Sequence, residues 1–151
     1  MVPTALLEIR ECPEEGYRPL IDYGAWRVAA LGPCEELLPE RITSMQKHDE
    51  TDEVFVLLRG RCLLFLGEGV NSIETIYAQE MEPLKVYNVK RGVWHTHVLS
   101  TEAMVLIVEN RDTSAANSPI QPLTAAQQAE IVEAVARLWG EANAGSLLSE
   151  G

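Results

Sequence analysis

Residues 48–69 read HDETDEVFVLLRGRCLLFLGEG, an acidic lead-in followed by two apolar runs, each closed by a glycine. The runs 53–58 and 61–66 are too short for helices, are rich in Val, Phe and Leu, and are separated by Arg59-Gly60. A glycine there can take positive φ without a Cβ clash, so the stretch reads as a β-hairpin. Glu68-Gly69 marks the next turn. Runs of the same kind lie outward on both sides, at 25–31, 72–78, 84–90, 93–99 and 103–109, with Arg91-Gly92 as a further turn. Seven strands within 25–109 leave no room for the dozen or more residues that each parallel crossover needs. The strands must therefore pair mainly antiparallel, and such a series hides its edges by closing into a barrel or double sheet.

After Arg111 the character changes. Residues 112–122 are polar and proline-bearing, and Thr124 with Gln127 then forms a capping box that opens a helix over 124–139. Ile131, Val135 and Leu138 give it an apolar stripe, to be buried on the outside of its own barrel or on a partner subunit. Residues 141–151 are expected to be a frayed tail. The chain as a whole, 1–151, reads as one all-β domain with a barrel core over about 25–111.

Composition narrows the partners. Twenty-three acidic residues against 12 basic ones give a net charge of −11, a field that repels phosphate backbones and anionic membranes. No apolar run approaches the roughly 20 residues needed to span a bilayer, and the start of the chain lacks the features of a leader. Cys12, Cys34 and Cys62 are odd in number and form no C-x-x-C pair, which points to reduced thiols. A cytoplasmic protein with no nucleic-acid or membrane partner is expected. Exposed edge strands favour a homodimer, through the residues before Ala25 or the helix from Thr124.

The three histidines of the chain, His48, His95 and His97, fall in two short segments. Residues two apart on a strand share a face, so His95 and His97 point the same way, and Gln46 pairs with His48 by the same rule. Histidine is suited both to metal ligation and to proton transfer near neutral pH. With Glu53 close to His48 in sequence, the group is expected to converge on one pocket. Asp49, Glu50 and Asp52 beside it read as a solvated loop.

The stretch His48 to Gly60, a histidine, Glu53 five residues on and a glycine seven further, resembles the first motif of the cupin superfamily. Gly92-Val93-Trp94-His95 resembles the end of the second. That resemblance implies a double-stranded β-helix, or jelly-roll, barrel with a metal on its inner face, held by His48, Glu53 and His95. Gln46 stands where the first motif has another histidine. His97, on the face of His95, is the candidate for the missing nitrogen ligand.

A narrower resemblance is to the ureidoglycolate lyases, which split ureidoglycolate into glyoxylate and urea. It rests on Tyr87, Arg91 to His95, Leu106-Ile107-Val108 with Arg111 and Asn117, and on Lys47-His48 followed by Phe55. Thr96 and Glu53 replace residues of that family.

The expectation is an enzyme acting on a small, polar, carboxylate-bearing metabolite, with urea-releasing lyase chemistry leading. His48, His95, His97 and Glu53 are the candidate catalytic groups. Arg111, as a carboxylate clamp, with Tyr87, Gln46 and Phe55 would contact substrate. The rival readings are a metal-dependent oxygenase or isomerase and a ligand-binding module. The cofactor is correspondingly a divalent metal (iron, manganese, nickel or zinc) or none.

Overall fold

In the computed structural model, residues 1–140 are described. Each of the seven apolar runs contains a strand: β2 (Trp26–Leu31), β4 (Glu53–Arg59), β5 (Cys62–Glu68), β6 (Thr75–Glu80), β7 (Tyr87–Val89), β8 (Trp94–Leu99) and β9 (Met104–Asn110). Three more appear that apolar patterning did not mark: β1 (Tyr17–Tyr23), β3 (Ser44–Gln46) and β10 (Ile120–Pro122). β1 carries Arg18, Pro19 and Asp22 and is mostly exposed. β3 and β10 have three residues each, too few to show a period. The barrel therefore begins at Tyr17 rather than Ala25 and ends beyond Arg111.

The ten strands form two antiparallel sheets, ordered β1-β2-β9-β4-β7 and β10-β3-β8-β5-β6. This is a mostly β, cupin-like architecture with one C-terminal helix, but the sheets are not closed on each other by hydrogen bonds. Their inner faces meet in a core that includes Ala29, Phe55, Leu57, Leu64, Leu99, Val105 and Ile107. Register decides which side chains look inward. On β8 the pairs Cys62↔Leu99, Leu64↔His97 and Leu66↔His95 put both histidines on the inner face. Leu63↔Val98 and Gly67↔Trp94 face outward.

That outward face is covered by α1 (Ala125–Trp139), whose Thr124–Gln127 capping box is formed in both directions. Ile131, Ala134, Val135 and Trp139 pack on Met45, Leu63, Phe65, Trp94 and Val98. Each large apolar side chain so buried stabilises the fold by roughly 1.5–3 kcal/mol. The helix therefore sits on its own barrel. The tail expected over 141–151 lies outside the described residues. None of the described helices is long and apolar enough to cross a membrane.

At the β4–β5 turn, Gly60 has φ of +73°, and a Cβ there would lie 2.5 Å from Ala103 Cα and 2.7 Å from its nitrogen. Gly60→Ala should lower stability by at least about 2 kcal/mol, through strain and backbone overlap together. A urea-unfolding midpoint equal to that of the parent would contradict this.

Candidate active site

Two turns bring the histidine segments together. The backbone N–H of Gly92, which has φ of +80°, donates to the His48 carbonyl at 2.8 Å. Gln46 is the β3 register partner of His95. Asp52, from the acidic lead-in, accepts from the Arg91 backbone N–H at 2.8 Å and the Asn88 amide at 3.1 Å. It acts as an exposed brace for the turn, in keeping with a solvated loop.

The result is one centre. Glu53 Oε2 stands 2.6 Å from His48 Nε2 and 2.9 Å from His95 Nε2, and all three residues are buried. The other ring nitrogens fix the tautomers. His95 Nδ1 lies 2.9 Å from the Val93 carbonyl, which can only accept. His48 Nδ1 lies 2.7 Å from Ser118 Oγ, whose own hydrogen goes to Asn117 Oδ1 at 3.1 Å. Each Nδ1 thus carries a proton, so each Nε2 turns a lone pair towards a carboxylate oxygen while its ring is neutral and donates to that oxygen once the ring is protonated. Three electron-rich atoms at these distances repel unless a proton or a cation stands among them.

Burial alone would lower the His48 pKa, but the Glu53 carboxylate against it outweighs this and holds it above the ordinary value. Burial would raise Glu53, yet hydrogen bonds from His48 and His95 hold it well below the usual carboxylate range. Glu109 is pushed the other way, up to about 7, by burial and by the charge of Glu53 beside it. Its Oε1 accepts from the Tyr17 hydroxyl at 2.8 Å, and burial with the Glu109 charge raises that phenol to about 12.

These groups open onto a cavity of about 470 Å³ between the sheets, whose lining includes Tyr17, Arg27, Gln46, Ser114, Ser118 and Glu109 besides the three central residues. His97 also lines it, but its ring centroid is 6.1 Å from that of His95. It packs edge-on against Phe55 at 4.5 Å, and its buried Nε2 has no hydrogen-bond partner. The set of close donor atoms contains His48, Glu53 and His95 without His97.

The expected substrate contacts divide. Gln46 lines the cavity. Phe55 is fully buried and supports the wall from the core. Tyr87 is packed at the edge of that core and spends its hydroxyl on the Glu82 backbone N–H. Arg111 is corrected: it is exposed, faces Asp22 at 3.7 Å and lies by the β1–β2 turn, away from the cavity. Its backbone N–H is tied to the Ala25 carbonyl just past the end of β9, which carries the side chain outside. Arg27 is the arginine that lines the cavity, joined there to Asp22 by two hydrogen bonds.

Glu109, Tyr17, Arg27 and Ser118 were not singled out from sequence. Glu109 had a signal: it continues the inward alternation of Val105 and Ile107. Ser118 lies in the irregular segment after β9, where no periodicity reports its direction.

The donor set, two imidazoles with fixed tautomers and one carboxylate, fits a divalent first-row metal. No family model and no curated protein matches the sequence. Among solved structures, a Streptomyces Pac13 variant bound to uridine is similar over 77% of this chain and 84% of its own, at 7% identity and a TM-score of 0.53; Pac13 is described as a β-barrel nucleoside dehydratase. The QdtA 3,4-ketoisomerase of Thermoanaerobacterium thermosaccharolyticum, in complex with TDP, matches over 78% of both chains at 15% identity and a TM-score of 0.50. The capsular polysaccharide assembling protein CapF of Staphylococcus aureus matches over 81% of this chain but 34% of its own, at 18% identity and a TM-score of 0.54. At these identities the likeness shows the fold alone: this chain shares its double-sheet, β-barrel-like fold with those proteins.

Proposed function

We propose that the protein is a small-molecule enzyme that catalyses an elimination or isomerisation by proton transfer, centred on His48, Glu53 and His95. The observation that carries this reading is the single carboxylate oxygen shared by two buried imidazoles at the wall of an open cavity. Such a centre can hold one proton for donation while a second imidazole accepts another. The raised pKa of His48 supports it as the acid, with His95 as the base.

The reaction we favour is release of urea from ureidoglycolate or a close carbinolamide acid. His95 would take the proton of the carbinol hydroxyl, and His48 would protonate the departing nitrogen. Arg27 replaces Arg111 as the proposed partner of the substrate carboxylate, exchanging its bond to Asp22 for the ligand. Dehydration and ketoisomerisation, the activities named for Pac13 and QdtA, likewise move protons, which supports the reaction class. Free thiols at Cys12, Cys34 and Cys62 agree with a reducing, cytoplasmic setting.

A metal-assisted form of the same chemistry is the second reading, favoured by the converging lone pairs. His48, Glu53 and His95 would hold iron, manganese, nickel or zinc, which would supply a Lewis acid for a substrate oxygen. Elemental analysis of protein purified without an affinity tag separates the two: one metal per chain selects this form, and none selects the proton-sharing form. Urea formation from ureidoglycolate under argon tests the whole reading. A rate above the uncatalysed one supports it, and a rate equal to background in both metal-free and metal-loaded protein rejects it.

A further inference from the structure

The space around the histidine centre continues through the sheet. Among the described residues β3 and β8 are paired at Gln46↔His95 alone. β3 is paired with β10 through Met45 and Ser44, and β8 with β5 through Thr96, so the sheet parts beside Ser44 and Thr96. Beyond the gap lies a second cavity of about 420 Å³, and Leu37, Ser44 and Thr96 line both it and the 470 Å³ cavity of the centre. Its outer wall is formed by the short 3₁₀ turns Glu35–Leu37 and Pro39–Arg41, tied together by the Arg41–Glu35 ion pair at 2.7 Å.

Ureidoglycolate, a three-carbon acid, is small for this space. Cavities of about 300–1,000 Å³ take drug-sized ligands, and the inner cavity alone lies in that range. The proposed roles set the substrate's direction. Arg27 holds the carboxylate from β2, in the opposite sheet, whereas His48, which protonates the departing nitrogen, lies just past the end of β3. The nitrogen end therefore faces the strand beside the gap, and a group carried on that end points towards the second cavity. The lining states what that group is. Arg41 is neutralised by Glu35 and Glu36 adds a further negative charge, so an anionic group is repelled. The hydroxyls of Thr43, Ser44 and Thr96 suit an uncharged group that donates and accepts hydrogen bonds.

We propose that the substrate is an extended carbinolamide acid: an α-hydroxyglycine whose nitrogen bears an acyl or carbamoyl group with an uncharged polar substituent, seated in the second cavity. The inference rests on the lyase reading for the substrate's direction. The step balances without a co-reactant. His95 takes the hydroxyl proton, the C–O bond becomes the carbonyl of glyoxylate as the C–N bond breaks, and the nitrogen takes its proton from His48. The substituent leaves unchanged on the released amide or urea. Contacts made to it, remote from the reacting atoms, supply binding energy that the elimination can use.

Glyoxylate release from ureidoglycolate, its N′-hydroxyethyl derivative and its N′-carboxymethyl derivative tests this. The hydroxyethyl compound should exceed ureidoglycolate in kcat/KM by at least about 10-fold, the lower end of what a well-fitted added group contributes, and should exceed the anionic carboxymethyl compound as well. Thr43→Trp and, as an independent variant, Glu36→Trp put an indole into the second cavity. In protein with the parent's far-ultraviolet spectrum, each should cancel most of the hydroxyethyl advantage. Oxalurate and N′-hydroxyethyl oxalurate, which have no carbinol to cleave, report binding apart from chemistry in calorimetric titration, and the longer should bind more tightly. Release from ureidoglycolate with no gain from the hydroxyethyl group, or a gain that survives in both folded variants, overturns the proposal and leaves the lyase reading standing. No release from any of the three overturns the lyase reading and this substrate class with it. A longer oxalurate bound no more tightly than the shorter would then remove the second cavity from the site as well.

Discussion

Glu53→Gln should fold to the same barrel and lose about 10²–10⁴ in kcat, the range that acid–base groups contribute. The amide keeps the shape of the carboxylate but not its charge. Without that charge the main offset to the burial of His48 is gone, and only the charges of Glu109 and Asp49 still raise it, so its pKa should fall and the proposed acid should be less protonated at neutral pH. Glu109 loses the neighbouring charge that helps to push it up, so its own titration moves down. Divalent-metal affinity falls as well, because the only anionic donor of the set is gone. A neutral glutamine buries no unpaired charge, so thermal stability should change far less than activity. Histidine resonances followed by NMR against pH should show the fall at His48. Unchanged kcat with an unmoved His48 titration would contradict the role of Glu53.

His97→Leu should make the metal-free protein more stable, by an amount that grows as the pH falls. The unfolded chain protonates this histidine below about 6.5, whereas burial, helped by the charge of His95, lowers it in the folded chain to about 3. Acid therefore favours unfolding between those values, by up to ~5 kcal/mol at about 1.4 kcal/mol per pH unit. Glu109 acts in the opposite sense. Its folded pKa of about 7 lies above the unfolded value of about 4.3, so stability is lost as pH rises through that window. The raised pKa of His48 contributes stability that is full below about 6.5 and lost as pH rises through its folded value. The depressed pKa of Glu53 contributes stability present above about 4.3 and lost in acid.

The parent should accordingly be most stable on a plateau between about pH 4.5 and 6.5. Leucine removes the His97 part of the acid limb. It also removes an orphaned buried nitrogen that costs about 1–3 kcal/mol at any pH. Melting temperatures across pH 3–9 check both statements, and a leucine variant less stable than the parent at pH 4 would show them wrong.

The strands were legible where apolar runs met glycine turns, because β4, β5, β8 and β9 each bury one face between the sheets, and β5 and β8 bury most of the other under α1. β1 was not, since its side chains Arg18, Pro19 and Asp22 carry no inward stripe. The histidine centre was legible from local rules: parity put His95 and His97 on one face, and Glu53 opens the strand that follows His48. Parity could not supply depth. His97 shares the face of His95 yet sits a pleat further towards Phe55 and Leu64, away from the Glu53 oxygen. Arg111 failed for a related reason. It was placed at a strand end, and a strand end past the last inward pair, Arg27↔Glu109, is free to leave the cavity.

The most direct test of the reaction centre is single-turnover release of urea by the parent, His48→Ala and His95→Ala, each checked for a native far-ultraviolet spectrum and measured with and without a chelator. The account predicts release by the parent and a loss of about 10²-fold or more in each alanine variant, with imidazole in the buffer restoring part of the rate. Variants that release urea as fast as the parent would contradict it, because the shared carboxylate and its two imidazoles would then lie outside the chemistry.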